Sequence, residues 1–71
     1  MIAKLNRFIK FTAYPDAVAL VTKEFGEIVV WVYPSIPNEK REEIKRQTEI
    51  HAHGVLGMTE NVRVEPYRRE R

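Results

Sequence analysis

The sequence predicts a small α+β domain, and three observations support this. Segments 17–23 and 27–33 are rich in β-branched and aromatic residues, which is typical of strands. Segment 38–52 is dense in charged residues, and its few apolar residues recur at helical spacing. Pro34 and Pro37 separate the second strand-like segment from the charged segment, and proline interrupts regular structure. Short strands together with a charged helix favour a small antiparallel sheet packed against helices.

The first segment, 2–11, has two interpretations. Four of its apolar residues recur at helical spacing, which predicts an amphipathic N-terminal helix. An alternating pattern from Leu5 to Phe11 also permits a strand, but that strand would place Arg7 among apolar side chains. We favour the helix and leave the strand open.

The two strand-like segments predict an antiparallel hairpin over 17–33. Only three residues separate them, and Gly26 can supply the positive φ that a tight connection needs. The alternative is a helix opened by Pro15, but the β-branched residues of this segment disfavour it. The hairpin is the better interpretation.

The second strand of the hairpin is apolar on both faces. Such a strand needs cover on both sides, which in a short chain comes from two helices or from a partner. One face consists of Ile28, Val30 and Val32, and the other of Val29, Trp31 and Tyr33.

The remaining elements are a helix over about 38–52 and a short last strand over 61–67. Ser35 or Asn38 is the predicted N-cap of the helix, because both side chains can accept a hydrogen bond from a free backbone N–H. Pro66 places the last strand at an edge of the sheet, since proline cannot donate to a neighbouring strand. We therefore expect an antiparallel sheet of about three strands.

Size and composition limit the classes of protein. With 71 residues the chain holds one core, so we expect one domain over 1–67 and a basic C-terminal tail over 68–71. The absence of cysteine excludes a disulfide framework and a cysteine zinc site. The apolar runs are strand-sized and the N-terminus does not resemble a signal peptide. We expect a cytoplasmic protein that does not span a membrane.

The residues that could carry catalysis are sparse, so we expect neither an enzyme nor a cofactor. Ser35 is the only serine, and its position before a helix is explained by capping. The candidates for a metal site are His51 and His53, which on a strand would project to one side. These are the only two histidines, and at the end of a helix they would not face each other. We therefore expect no metal site.

The favoured function is a small protein-interaction module, acting as an adaptor, inhibitor or regulator. The predicted interface is the face formed by Val29, Trp31 and Tyr33, because tryptophan and tyrosine are enriched in interaction hot spots. A thin core also favours stabilisation by another protein or by a second copy in a homodimer.

The alternative function is a nucleic-acid-binding module. The net charge is +2, and only the two ends of the chain are locally basic. Aromatic residues on a sheet can stack nucleobases, while basic side chains contact phosphates. The candidate phosphate contacts are Arg7, Lys10, Arg68, Arg69 and Arg71.

Overall fold

The predicted hairpin is present and lies at the centre of the fold. In the computed structural model, which describes residues 1–68, β1 (Val18–Glu24) pairs antiparallel with β2 (Glu27–Val32). The two turn residues both have positive φ, 53° at Phe25 and 78° at Gly26. A two-residue turn of this type matches the right-handed twist of the strands that it joins. The strand boundaries agree with the sequence prediction to within one residue.

The sheet is mixed, which corrects the prediction of an antiparallel sheet. β3 (Val62–Pro66) runs parallel to β2, with Ile28 opposite Val62, and the strand order is β1-β2-β3. The reason is the connection: α2 (Asn38–Glu49) lies between the two strands and returns the chain to the end where β2 began. Alternation along a strand has the same period in either direction, so the pattern could not reveal this. Pro66 does lie on an edge strand, as predicted.

Both predicted helices are present, and both end in a wider helical turn. α1 (Ile2–Asn6) continues as a π-helical segment (Arg7–Ala13), and α2 continues as another (Ile50–Val55). A π-helix bonds each N–H to the carbonyl five residues earlier, so the spacing of 3.6 residues no longer predicts which side faces inward. Val55, which that spacing places on the inward side, is exposed. No helix in the described part of the chain is long and apolar enough to cross a lipid bilayer.

α2 begins without a side-chain cap. Pro37 occupies the N-cap position in an extended conformation, and no side chain hydrogen-bonds to the first turn. The prediction that Ser35 or Asn38 caps this helix is therefore wrong. Asn38 is already the first helical residue. Pro37 stands where a polar cap would, and its φ of −71° leads the backbone into the helix.

The two helices pack on the same side of the sheet. Leu5 of the first helix and Ile44 of the second are fully buried in one cluster with the strands. The ring of Phe8 stacks on that of His51 with 3.9 Å between centroids, so the helices are in contact with each other. We call this side of the sheet the covered face. Its buried strand residues are Val18, Val21, Ile28, Val30, Val32 and Val62.

Polar contacts fasten the helices to the rest of the domain. The Asn6 side-chain oxygen accepts a hydrogen bond from the Val21 backbone N–H at 2.8 Å. This satisfies an N–H on the outer side of β1, an edge strand that could otherwise pair with another chain. The Tyr14 hydroxyl donates to Glu43 at 2.9 Å, and burial together with that carboxylate raises the pKa of Tyr14 to about 12. Tyr14 therefore stays neutral at physiological pH, and its hydrogen bond joins the segment before β1 to α2.

Candidate functional site

Neither helix of the described chain lies on the opposite side of the sheet, which we call the open face. Its strand residues form two cross-strand rows, because paired residues of neighbouring strands point to the same side. Two carboxylates and two aromatic rings lie beyond these rows, toward the ends of the strands. The open face consists of Leu20, Thr22, Glu24, Glu27, Val29, Trp31, Arg63 and Glu65, with Tyr33 and Tyr67 just beyond the strands.

An irregularity in β1 determines which residues reach the open face. Val18 pairs with Val32, but Leu20 pairs with Trp31, so Ala19 is an extra residue in β1. A bulge of this kind reverses the alternation of the residues that follow it. Leu20 is consequently turned to the open face, where it lies beside Trp31.

Trp31 lies at the centre of the open face and is held in a fixed orientation. It pairs with Leu20 on one side and Glu65 on the other. Its indole N–H donates to the Thr22 hydroxyl at 2.9 Å, and that hydroxyl donates to Glu24 at 3.1 Å. The polar group of the indole is therefore satisfied within the protein, while the ring is only partly buried. An aromatic side chain ordered in this way loses little entropy on binding.

The three residues predicted as an interface have different environments. Trp31 is partly exposed and Tyr33 is 39% exposed, whereas Val29 is fully buried beneath its neighbours. Val29 packs beneath the exposed side chains of the open face and cannot contact a partner directly. Tyr33 meets Tyr67 edge to face, with ring centroids 6.2 Å apart.

Leu20 was not predicted as an interface residue, and Tyr67 had no predicted place on this face. Both residues line a shallow groove of about 480 Å³ that runs alongside Trp31. Pro66 and Arg68 also line the groove. Its lining combines apolar and aromatic side chains with four polar or charged ones, those of Thr22, Glu24, Glu65 and Arg68.

Both ends of the open face carry charged groups. Glu24 and Glu27 lie at the hairpin end, and Glu65 and Arg68 lie toward the other. Between them, Arg63 Nε lies 3.4 Å from a Glu27 carboxylate oxygen and 3.5 Å from one of Glu65. Arg63 is thus already paired with carboxylates, so it offers little to phosphate groups.

The candidate nucleic-acid contacts do not form one site among the described residues. Arg7 and Lys10 lie on the first helix, on the covered side of the sheet. Lys10 Nζ lies 5.2 Å from the centroid of the Phe11 ring. Arg68 lies on the opposite side, beside the groove. A phosphate track needs basic residues along one path, which these do not provide.

The two remaining nucleic-acid candidates, Arg69 and Arg71, lie outside the described residues. Most of the predicted basic tail, 69–71, lies there too. Only Arg68 of that tail is therefore placed.

The two histidines are engaged in separate contacts. The His51 ring stacks on Phe8 at an interplanar angle of 9°. His53 Nε2 lies 2.7 Å from the backbone oxygen of Glu60, to which it donates a hydrogen bond. Within residues 1–68, no group of three or more histidine, cysteine or acidic side chains is arranged to hold a metal ion.

Comparison of the chain with protein-family models, curated proteins and solved structures finds no match. The open face is therefore the feature from which a function is inferred.

Proposed function

We propose that the protein is a small, non-enzymatic protein-interaction module that docks through the open face. The observation that carries this proposal is the placement of both helices on the covered face. In principle the N-terminal helix could have covered Trp31, but it packs against the other side of the sheet instead. Trp31 and Leu20 are left partly exposed in adjacent positions.

The composition of the open face supports docking to a protein. Tryptophan and tyrosine combine a large apolar area with few rotatable bonds, and they are enriched in interface hot spots. Burying what remains exposed of Trp31 would contribute about 1–2 kcal/mol at roughly 25 cal/mol per Å². Charged groups at the ends of the face can form the polar rim that such interfaces have.

The distribution of charge favours a protein partner over nucleic acid. The described open face and its groove carry three carboxylates, those of Glu24, Glu27 and Glu65. Against these stand two guanidinium groups, those of Arg63 and Arg68. A surface with this balance does not attract a phosphate backbone.

Position-specific photocrosslinking in the native cells tests the proposal. A photoreactive amino acid at position 20, beside Trp31, is expected to form an adduct with a protein partner or with a second copy. The matched control is position 46, because Arg46 lies exposed on α2, in the layer behind the sheet.

Trp31→Ala combined with the probe at position 20 is expected to remove the adduct. A circular-dichroism melt of this variant shows that the domain still folds. The proposal is wrong if position 20 forms no adduct, or if positions 20 and 46 give the same adducts in equal yield.

A further inference from the structure

We infer that the outer edge of β3 binds an extended, acidic segment of another protein as an additional strand, in the groove between β3 and α2. This surface differs from the open face, and the inference does not depend on the proposed function. Its basis is that backbone groups of β3 point away from the sheet without a partner, beside an arginine whose side chain also lacks an acceptor. Addition of a strand to a sheet edge is a common mode of peptide recognition.

The hydrogen bonds between β2 and β3 show which residues of β3 point outward. Ile28 N–H donates to the Asn61 carbonyl at 2.8 Å. At the other end of the strand, Tyr67 N–H donates to the Val32 carbonyl at 2.7 Å. Because the direction of the backbone groups alternates along a strand, the odd-numbered residues point toward β2 and the even-numbered ones point away from it. The outward-pointing residues of β3 are Val62, Val64 and Pro66.

These outward positions leave the centre of the β3 edge unpaired. Among residues 1–68, the N–H and C=O groups of Val62 and Val64 have no hydrogen-bond partner. At the other edge of the sheet, the Asn6 side chain already accepts a hydrogen bond from the Val21 N–H of β1. Pro66 has no N–H, so pairing along β3 centres on Val62 and Val64. Each of these two residues exchanges a pair of hydrogen bonds with the opposite residue of an added antiparallel strand.

α2 runs beside this edge and forms the second wall of a groove of about 290 Å³, which we call the edge groove. Val62 and Val64 line it from β3, and Arg41 and Lys45 line it from α2. Both valines pack on the covered face, where α2 also packs. A residue paired with either valine points its side chain to the same side of the sheet. The added strand therefore directs every second side chain into the edge groove.

The charge of the edge groove selects an acidic side chain. Arg41 Nε is buried without a hydrogen-bond partner, and Arg41 forms no ion pair with any residue of the described chain. Lys45 adds a positive charge, which Glu42 offsets, while Arg63 is already paired with carboxylates of the open face. A buried donor without an acceptor is unusual, and a carboxylate accepts parallel hydrogen bonds from a guanidinium.

The direction of α2 indicates where the acidic side chain lies. α2 runs opposite to β3, since it returns the chain from the end of β2 to the start of β3. Arg41, in the first half of α2, therefore lies nearer Val64, and Lys45 lies nearer Val62. In the added strand, the residue opposite Val64 is the acidic one.

An NMR titration of the isotope-labelled full chain tests the inference. The probe is the peptide acetyl-Ser-Thr-Val-Glu-Val-Thr-Ser-amide, whose glutamate is expected opposite Val64. The largest amide shifts, saturating at millimolar peptide, are expected at Val62 and Val64, with smaller shifts at the residues of β3 that point toward β2. The inference is overturned if these two amides show no saturable shift. It is also overturned if the shifts are confined to Leu20 and the Trp31 indole, which would place the peptide on the open face.

N-methylated versions of the probe test the pairing along the edge. Methylation of the glutamate nitrogen removes the N–H that donates to the Val64 carbonyl and is expected to weaken binding at least tenfold. The matched control is methylation of the valine that follows, because its N–H points away from β3. This control is expected to bind within threefold of the unmodified probe. Equal weakening by the two modifications would overturn strand addition.

Arg41→Gln tests the preference for an acidic side chain. It is expected to weaken binding of the probe at least fivefold, and to change binding of a probe with glutamine in place of glutamate less than twofold. The matched control is Arg46→Gln, because Arg46 is exposed on α2 and does not line the edge groove. The control is expected to change the affinity for either probe less than twofold. Equal effects of the two substitutions, or equal affinity of the wild type for both probes, would overturn the acidic partner.

Discussion

The two faces of β2 are alike in sequence and differ in what covers them. Every residue from Ile28 to Tyr33 is apolar or aromatic, so hydrophobicity alone predicts that both faces of this segment are buried. Both helices cover one face, while the described chain leaves the other without a helix. A hydrophobic pattern along a strand therefore identifies the surfaces that need burial, but it does not identify which element or partner buries them. The covered side is Ile28, Val30 and Val32, and the open side is Val29, Trp31 and Tyr33.

The largest effect is expected from truncating the covered face. Ile28→Ala removes most of a fully buried side chain and should lower the free energy of unfolding by about 2–5 kcal/mol. Leu20→Ala on the open face should lower it by only about 1 kcal/mol, because Leu20 is already partly exposed. Urea denaturation of the two variants at monomeric dilution measures both values. Equal losses would contradict the distinction between the faces.

A smaller effect, of opposite sign, is expected from Thr48 on α2. Thr48 is fully buried, and its hydroxyl has no hydrogen-bond partner among residues 1–68. An unsatisfied buried hydroxyl is costly, and valine has nearly the same shape without it. Thr48→Val should therefore raise the free energy of unfolding by about 1 kcal/mol, measured by thermal or urea denaturation. Destabilisation by this variant would mean that the hydroxyl does make a bond.

The smallest effect is expected from the ion pair that joins β1 to the segment before β3. Lys23 Nζ lies 2.8 Å from a Glu60 carboxylate oxygen, and this hydrogen bond to Lys23 lowers the pKa of Glu60 below its ordinary 4.5. Because the folded state lowers this pKa, the stabilisation is fully present above pH 4.5 and is lost as pH falls through the lowered value. The pair is exposed, so the effect is modest.

The check on this ion pair is the urea midpoint of wild type and Glu60→Gln at pH 6 and pH 3. The variant should be less stable at pH 6, and the difference should shrink at pH 3. A difference that is the same at both pH values would show that Glu60 acts through something other than its charge.

Local features of the fold could be predicted from the sequence. Gly26 between two β-branched segments identifies the hairpin, and the charged segment 38–52 identifies α2. The direction of β3 could not be predicted, since residues such as Val62 and Val64 alternate identically in parallel and antiparallel strands. The side of the sheet against which the first helix packs could not be predicted either. Leu5 fits either face of the sheet equally well by hydrophobicity.

The open face was predicted in part. Trp31 and Tyr33 follow from alternation along β2. Leu20 was missed because the bulge at Ala19 changes the alternation, and no glycine or proline marks that position. Tyr67 could be placed beside Tyr33 only once β3 was known to run parallel to β2.

The most direct test of the account uses Trp31, the only tryptophan of the chain, as a reporter of the open face. We would measure acrylamide quenching of its fluorescence from micromolar to millimolar protein and follow the association state by sedimentation in parallel. The account predicts a quenchable indole in the dilute chain and increasing protection as a second copy or another protein binds. Unchanged quenching, although an associated species forms, would show that the chain associates through another surface and would contradict docking through the open face.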